Sequence, residues 1–80
     1  MMIKDEEIKQ HLMSEDPDFR RLVEEHKQHE VRLEELHRRS HMSESDHLEE
    51  IQLKKKKLHI KDQMNAMISK FRNQLSHQHT

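Results

Sequence analysis

Glycine is absent from all 80 residues of the chain, and proline occurs only once, at Pro17. These are the two residues that most weaken a helix, so only one position resists continuous helix formation. Glu, Lys, Leu, Gln, Arg and Met, all good helix formers, dominate the remainder. We therefore predict an all-α protein built from long amphipathic helices.

Apolar residues are too few for a large core. They supply 30% of the chain, whereas about 45–50% is usual in a globular domain, and there is no Cys for a disulfide. A chain this small then usually needs a second copy of itself, so we predict a homo-oligomer, a dimer or larger. The charged start MMIKDEEIKQ is no signal peptide and no apolar run could span a bilayer, which predicts a cytoplasmic protein without membrane contact.

Two capping patterns divide the chain. Asp16 is placed to cap a helix whose first residue is Pro17, and Ser43 with Asp46 fits a capping box. Ile3, Ile8 and Leu12 indicate a shorter helix before them. The predicted order is a short N-terminal helix at 1–15, a first long helix at 17–40, a turn at 41–45, a second long helix at 46–75 and a frayed tail at 76–80.

The two long helices are predicted to form an antiparallel helical hairpin, because the turn between them is short. Apolar residues and two histidines of the first helix recur at steps of three and four, which places them on one stripe. The predicted hairpin core is Phe19, Leu22, Val23, His26, Leu33, Leu36, Leu53, Ile60, Met64 and Met67.

The second helix carries apolar residues on two nearly opposite faces, one centred on Leu53 and Ile60 and the other on Leu48, Ile51 and Leu58. One face can pack within the hairpin, and the other needs a further neighbour. We predict self-association into a helical bundle or coiled coil, and another protein's helix is an alternative occupant. The predicted oligomer interface is Leu48, Ile51, Leu58, Ile68, Phe71 and Leu75.

Four consecutive lysines, Lys54, Lys55, Lys56 and Lys57, are a candidate basic patch for nucleic acid. Successive helical residues are about 100° apart, so the four point around the whole helix. A pairing centred near Met42 would bring Glu30 close to Lys54 and Lys55. The net charge is only −1 and no interleaved aromatics are present, so solvated, partly paired lysines are the favoured interpretation.

Nine histidines occur, and His26 and His29, at i and i+3, are candidates for a metal site. Without a third ligand at a diagnostic spacing, we favour packed structural histidines and predict no cofactor. Buried neutral histidines would have to charge in acid, which predicts destabilisation between about pH 7 and pH 5. No nucleophile–base arrangement or phosphate loop is visible, so we predict no enzymatic activity.

The motif LKKKKLHIKDQM resembles the signature of the YdcH-like family, small bacterial proteins grouped as a domain of unknown function. EDPDFRRLVEEHKQHEVRL is similar to that family's first helix, and the resemblance spans roughly residues 8–68. It implies a cytoplasmic, oligomeric helical hairpin without an assigned activity. The function predicted here is a non-enzymatic interaction or scaffolding module; the alternatives are a weak nucleic-acid-associated protein and a His-dependent metal binder.

Overall fold

The computed structural model describes residues 4–77, and within them the chain forms three α-helices. They are α1 (Asp5–Glu15), α2 (Pro17–His37) and α3 (Glu44–His77). α2 and α3 pack antiparallel along a molecule 58 Å long and about 20 Å wide, and α1 packs on the end away from the turn. The prediction of an all-α hairpin preceded by a short helix is confirmed.

A single residue, Asp16, separates α1 from α2. Its backbone is extended, with φ −114° and ψ 107°, as expected for a residue before proline. The Asp16 carboxylate accepts hydrogen bonds from the backbone N–H groups of Asp18, at 2.9 Å, and Phe19, at 3.2 Å. The cap and the proline together end one helix, start the next, and change the direction of the chain.

The connection between α2 and α3 comprises residues 38–43, earlier than the predicted 41–45, because a capping box sets the start of α3. The Ser43 hydroxyl accepts from the Asp46 backbone N–H at 3.1 Å, and the Asp46 carboxylate accepts from the Ser43 N–H at 3.0 Å. The helix therefore begins at Glu44 rather than Asp46. At the other end α3 runs through His77, so residues 76–77 are helical rather than frayed; residues 1–3 and 78–80 lie outside the described residues.

Buried side chains form two clusters between the helices. Near the turn, Leu36 is 0% exposed and packs with Leu33 and Leu53. At the far end, Phe19 is 1% exposed. The far cluster joins all three helices and comprises Ile8, Leu12, Phe19 and Ile68, with Val23, Met64, Met67 and Phe71 packed against it. Leu22 and Ile60 are buried as well, whereas His26 is half-buried.

The oligomer interface predicted from sequence included Ile68, Phe71 and Leu75, but the structure covers this part of α3 within the chain. Ile68 is buried, Phe71 packs against its cluster, and Leu75 is half-buried. The cover is α1, whose Ile8 and Leu12 face the same cluster. Ile68 is therefore not available to a second copy.

Polar contacts hold α1 in this position. The Arg20 guanidinium donates to the carbonyl oxygens of Met13, at 3.3 Å, and Ser14, at 3.2 Å, near the negative end of α1. Arg72 forms an ion pair with Asp5, and the rings of His11 and Phe71 lie 4.7 Å apart. Helix α1 has no basic residue in its own last turn, so α2 supplies the cation that its carbonyls lack.

Candidate interaction surface

The inner side of the hairpin carries a row of ion pairs between the end of α2 and the start of α3. Arg32 makes a two-pronged contact with Glu49, at 2.7 and 3.0 Å. The Arg39 guanidinium lies 2.7 Å from the Asp46 carboxylate. Beside them the His37 ring makes a hydrogen bond with the Glu50 carboxylate. These pairs fix the register of the two helices next to the turn.

The same contacts shift the pKa values of their members. The hydrogen bond from Arg32 lowers the pKa of Glu49 and raises that of Arg32. The backbone N–H of Ser43 is the main cause that lowers the pKa of Asp46, with Arg39 adding to it. The hydrogen bond from His37 lowers the pKa of Glu50. All three carboxylates are therefore more acidic folded than unfolded.

These shifts predict loss of stability in acid, starting below about pH 4, where unfolded carboxylates take up protons. A depressed folded pKa contributes stability that is present above the unfolded pKa and disappears as the pH falls through the folded value. The melting temperature should therefore be nearly constant between pH 7 and pH 5 and fall below pH 4. Thermal melts followed by circular dichroism measure it.

In a Glu49→Gln variant the acid-induced fall should be shallower, whereas Glu24→Gln, an exposed change on α2, should leave it unaltered. The sequence predicts a loss of stability between pH 7 and pH 5, on the assumption that histidines are buried. Among the described residues no polar side chain is buried, so that cause is missing. A steep fall above pH 5 would contradict the carboxylate explanation.

The opposite side of α3 is apolar and uncovered. Leu48, Ile51 and Leu58 expose 59%, 49% and 61% of their surface, among the largest values for apolar residues in the chain. At about 100° per residue they lie opposite Leu53 and Ile60, the residues that pack on α2. Charged residues continue the same spacing of three and four. We call this row the outer seam: Glu44, Leu48, Ile51, Lys55, Leu58 and Asp62.

The lysine run is divided among different environments. Lys54 pairs with Glu50 on its own helix, at 3.9 Å, and half-buried Lys57 reaches Glu30 on α2, at 3.5 Å. The sequence predicts Lys54 and Lys55, about one helical turn before Lys57, as the residues close to Glu30. Lys55 and Lys56 are exposed. They border an open groove of about 370 Å³ whose other lining residues are Glu25, His29, His59, Ile60 and Gln63.

The two histidines predicted as metal candidates have separate surroundings. His26 lies 3.5 Å from Glu30, and His29 borders the groove between α2 and α3. Within residues 4–75, whose side chains the structure describes, no group of three His, Asp or Glu side chains is arranged to hold a metal ion. No helix in that part of the chain is long and apolar enough to cross a bilayer.

A protein-family model described as "Protein of unknown function (DUF465)" matches residues 19–68. The chain belongs to the DUF465 family. This confirms the YdcH-like resemblance seen in the sequence. The match covers most of the α2–α3 hairpin, as far as residue 68 of α3, and the whole outer seam of this DUF465 protein. It leaves α1 and the last part of α3 outside. No curated protein and no solved structure matches the chain.

Sequence reasoning missed the ion pairs that α2 and α3 make near the turn of this DUF465 protein. The signal was present: Arg38 and Arg39 end the first helix, and an acidic segment, residues 44–50, begins the second. Charges at the two ends complement the dipoles of their own helices. An antiparallel hairpin also places those two ends side by side, so the charges pair across the turn as well.

Proposed function

We propose that this DUF465 protein is a non-enzymatic interaction module that self-associates through the outer seam of α3 and serves as a small helical scaffold. One observation carries the proposal: the face of α3 turned away from α2 presents three large aliphatic side chains about half exposed or more, namely Leu48, Ile51 and Leu58. Burying such a side chain is worth about 1.5–3 kcal/mol, which favours a partner there.

The arrangement of the helices supports the same proposal. One face of α3 packs on α2 and α1 through Leu53, Ile60 and Ile68, so the hairpin has a core of its own. The outer seam adds nothing to that core. A row of apolar residues at steps of three and four is the pattern by which one helix packs along another.

Replacing Leu58 with Asp tests the proposal, because it places a charge in the interface while leaving the core intact. We expect the parent chain to sediment at a multiple of its 9.9 kDa mass and the Leu58→Asp variant to sediment as the monomer. Sedimentation velocity over a wide concentration range measures both, and circular dichroism confirms that the helices remain.

Val31→Asp is the matched control, since Val31 is similarly exposed, at 48%, but lies on α2 outside the outer seam. Its mass should equal that of the parent. If parent and Leu58→Asp sediment alike, the seam is not the interface; if Val31→Asp also dissociates, added negative charge rather than position is the cause.

A weak association with nucleic acid is the second candidate function, favoured by one observation. Lys55 and Lys56 are exposed side by side at the groove that His29 and His59 also border. Electrophoretic mobility shifts of an oligonucleotide that weaken steeply with salt, and that are lost in a Lys55→Ala/Lys56→Ala variant, would support this candidate.

A further inference from the structure

The outer seam contains charged residues as well as apolar ones, and the charged residues restrict which partner can bind to it. Glu44, Lys55 and Asp62 are exposed. None of them takes part in an ion pair within the described residues. A helix packed on the seam meets those of the three charges that it overlaps, and the sign at each position restricts which helix fits.

A second copy packed parallel is unfavourable. Each seam residue would face the same residue of the partner subunit, so Lys55 would meet Lys55, Glu44 would meet Glu44, and Asp62 would meet Asp62. Like charges brought close in a partly desolvated interface repel each other and specify against that arrangement. The parallel orientation has three such layers and no compensating ion pair along the seam.

An antiparallel copy reverses the order of the seam, and the spacing lets the two rows coincide residue by residue in a few registers. In the first, Glu44 meets Lys55 and Leu48 meets Ile51. A shift by one heptad brings Glu44 to Asp62 and leaves Lys55 facing Ile51. A shift by a second heptad places Asp62 opposite Ile51. Only the first register pairs opposite charges and keeps aliphatic residues against each other.

We infer that the outer seam packs against the same seam of a second copy, antiparallel, with Glu44 opposite the partner subunit's Lys55 and Leu48 opposite its Ile51. This rests on the proposed self-association and adds the partner's identity, orientation and register. Because the two-fold axis repeats every contact, each dimer contains two Glu44–Lys55 pairs and two Leu48–Ile51 layers. In this register Leu58 falls opposite position 41 of the partner subunit, within its connecting segment, residues 38–43.

Exchanging the two charges tests the inference. Glu44→Lys and Lys55→Glu each replace two attractive contacts by two repulsive ones. Exposed ion pairs are individually weak, so the dimer dissociation constant should rise on the order of tenfold in each single variant. The double variant, Glu44→Lys with Lys55→Glu, restores both pairs in reversed order and should return to within about threefold of the parent. Sedimentation equilibrium measures all four constants.

The results separate the inference from the proposal beneath it. A parent chain that stays monomeric removes the proposed self-association itself. A dimer that either single variant leaves unchanged, or that the double variant fails to restore, overturns the register but leaves the self-association standing. Thermal melts of each variant show whether Glu44→Lys, which also changes the first turn of α3, alters the monomer instead.

Disulfide cross-linking gives a second readout, because the chain has no cysteine of its own. In the inferred register a mixture of Leu48→Cys and Ile51→Cys chains should form the mixed disulfide in preference to either homodimer. A preference of Leu48→Cys for Leu58→Cys would place the dimer one heptad away. Preferential self-linking of both Leu48→Cys and Ile51→Cys would show a parallel dimer. Either of these last two results overturns the inference.

Discussion

Replacing Phe19 with Ala is expected to lower the melting temperature of the protein by about 12–40 °C. Phe19 is 1% exposed and lies where α1, α2 and α3 meet, packed with Ile8, Leu12 and Ile68. Removing a buried phenyl ring costs about 3–5 kcal/mol, and 1 kcal/mol shifts the melting temperature of a domain this size by about 4–8 °C. The loss is comparable to the whole stability of a small helical domain.

Val31→Ala controls for the change to alanine, because Val31 is about half exposed on the outer side of α2. Its melting temperature should stay within a few degrees of the parent. All chains are compared at one concentration, since self-association adds stability by mass action. A Phe19→Ala melting temperature close to the parent value would show that the three helices do not pack on this residue.

Much of the hairpin could be predicted because its signals are local. Pro17 and the Asp16 cap fix where α2 begins, and the Ser43–Asp46 capping box fixes where α3 begins. The apolar period then selects the facing sides of the two long helices. The boundaries near the turn differ from the prediction by two to three residues, since α2 ends at His37 and α3 begins directly after the Ser43 cap.

The position of α1 could not be predicted from the sequence. Ile8 and Leu12 show that α1 has an apolar side, but the angle of one extended residue, Asp16, decides which helix that side meets. The structure turns it onto Ile68 and Phe71. Three elements must pack together to fix this arrangement, and no residue spacing within one helix contains that information.

The ion-pair register was predicted only to within one helical turn. Glu30 reaches Lys57 rather than Lys54 or Lys55, because a lysine side chain can extend past a full turn before its amine meets a carboxylate. The outer seam follows from spacing alone, since Leu48, Ile51 and Leu58 share a face in any straight helix. What the sequence could not show is that this face stays uncovered after α1 has folded back.

The same substitution to Asp should have different effects on the two faces of α3. At Leu53 it should unfold the protein, which is the larger effect, and at Leu58 it should only prevent association. Leu53 is 8% exposed and packs with Leu33 and Leu36. Leu53→Asp buries a carboxylate without a partner, which costs several kcal/mol, about as much as the stability of such a domain. Most of the helical circular dichroism signal at 25 °C should disappear.

Leu58→Asp is the control on the same helix, five residues further on, with the same side chain removed and the same one introduced. It should keep the helical signal and lose only the association, because Leu58 is 61% exposed and contributes nothing to the buried clusters. Circular dichroism and sedimentation on both variants separate folding from assembly. If Leu58→Asp also unfolds, the clusters within one chain are insufficient, and the hairpin is stable only when its outer face is covered.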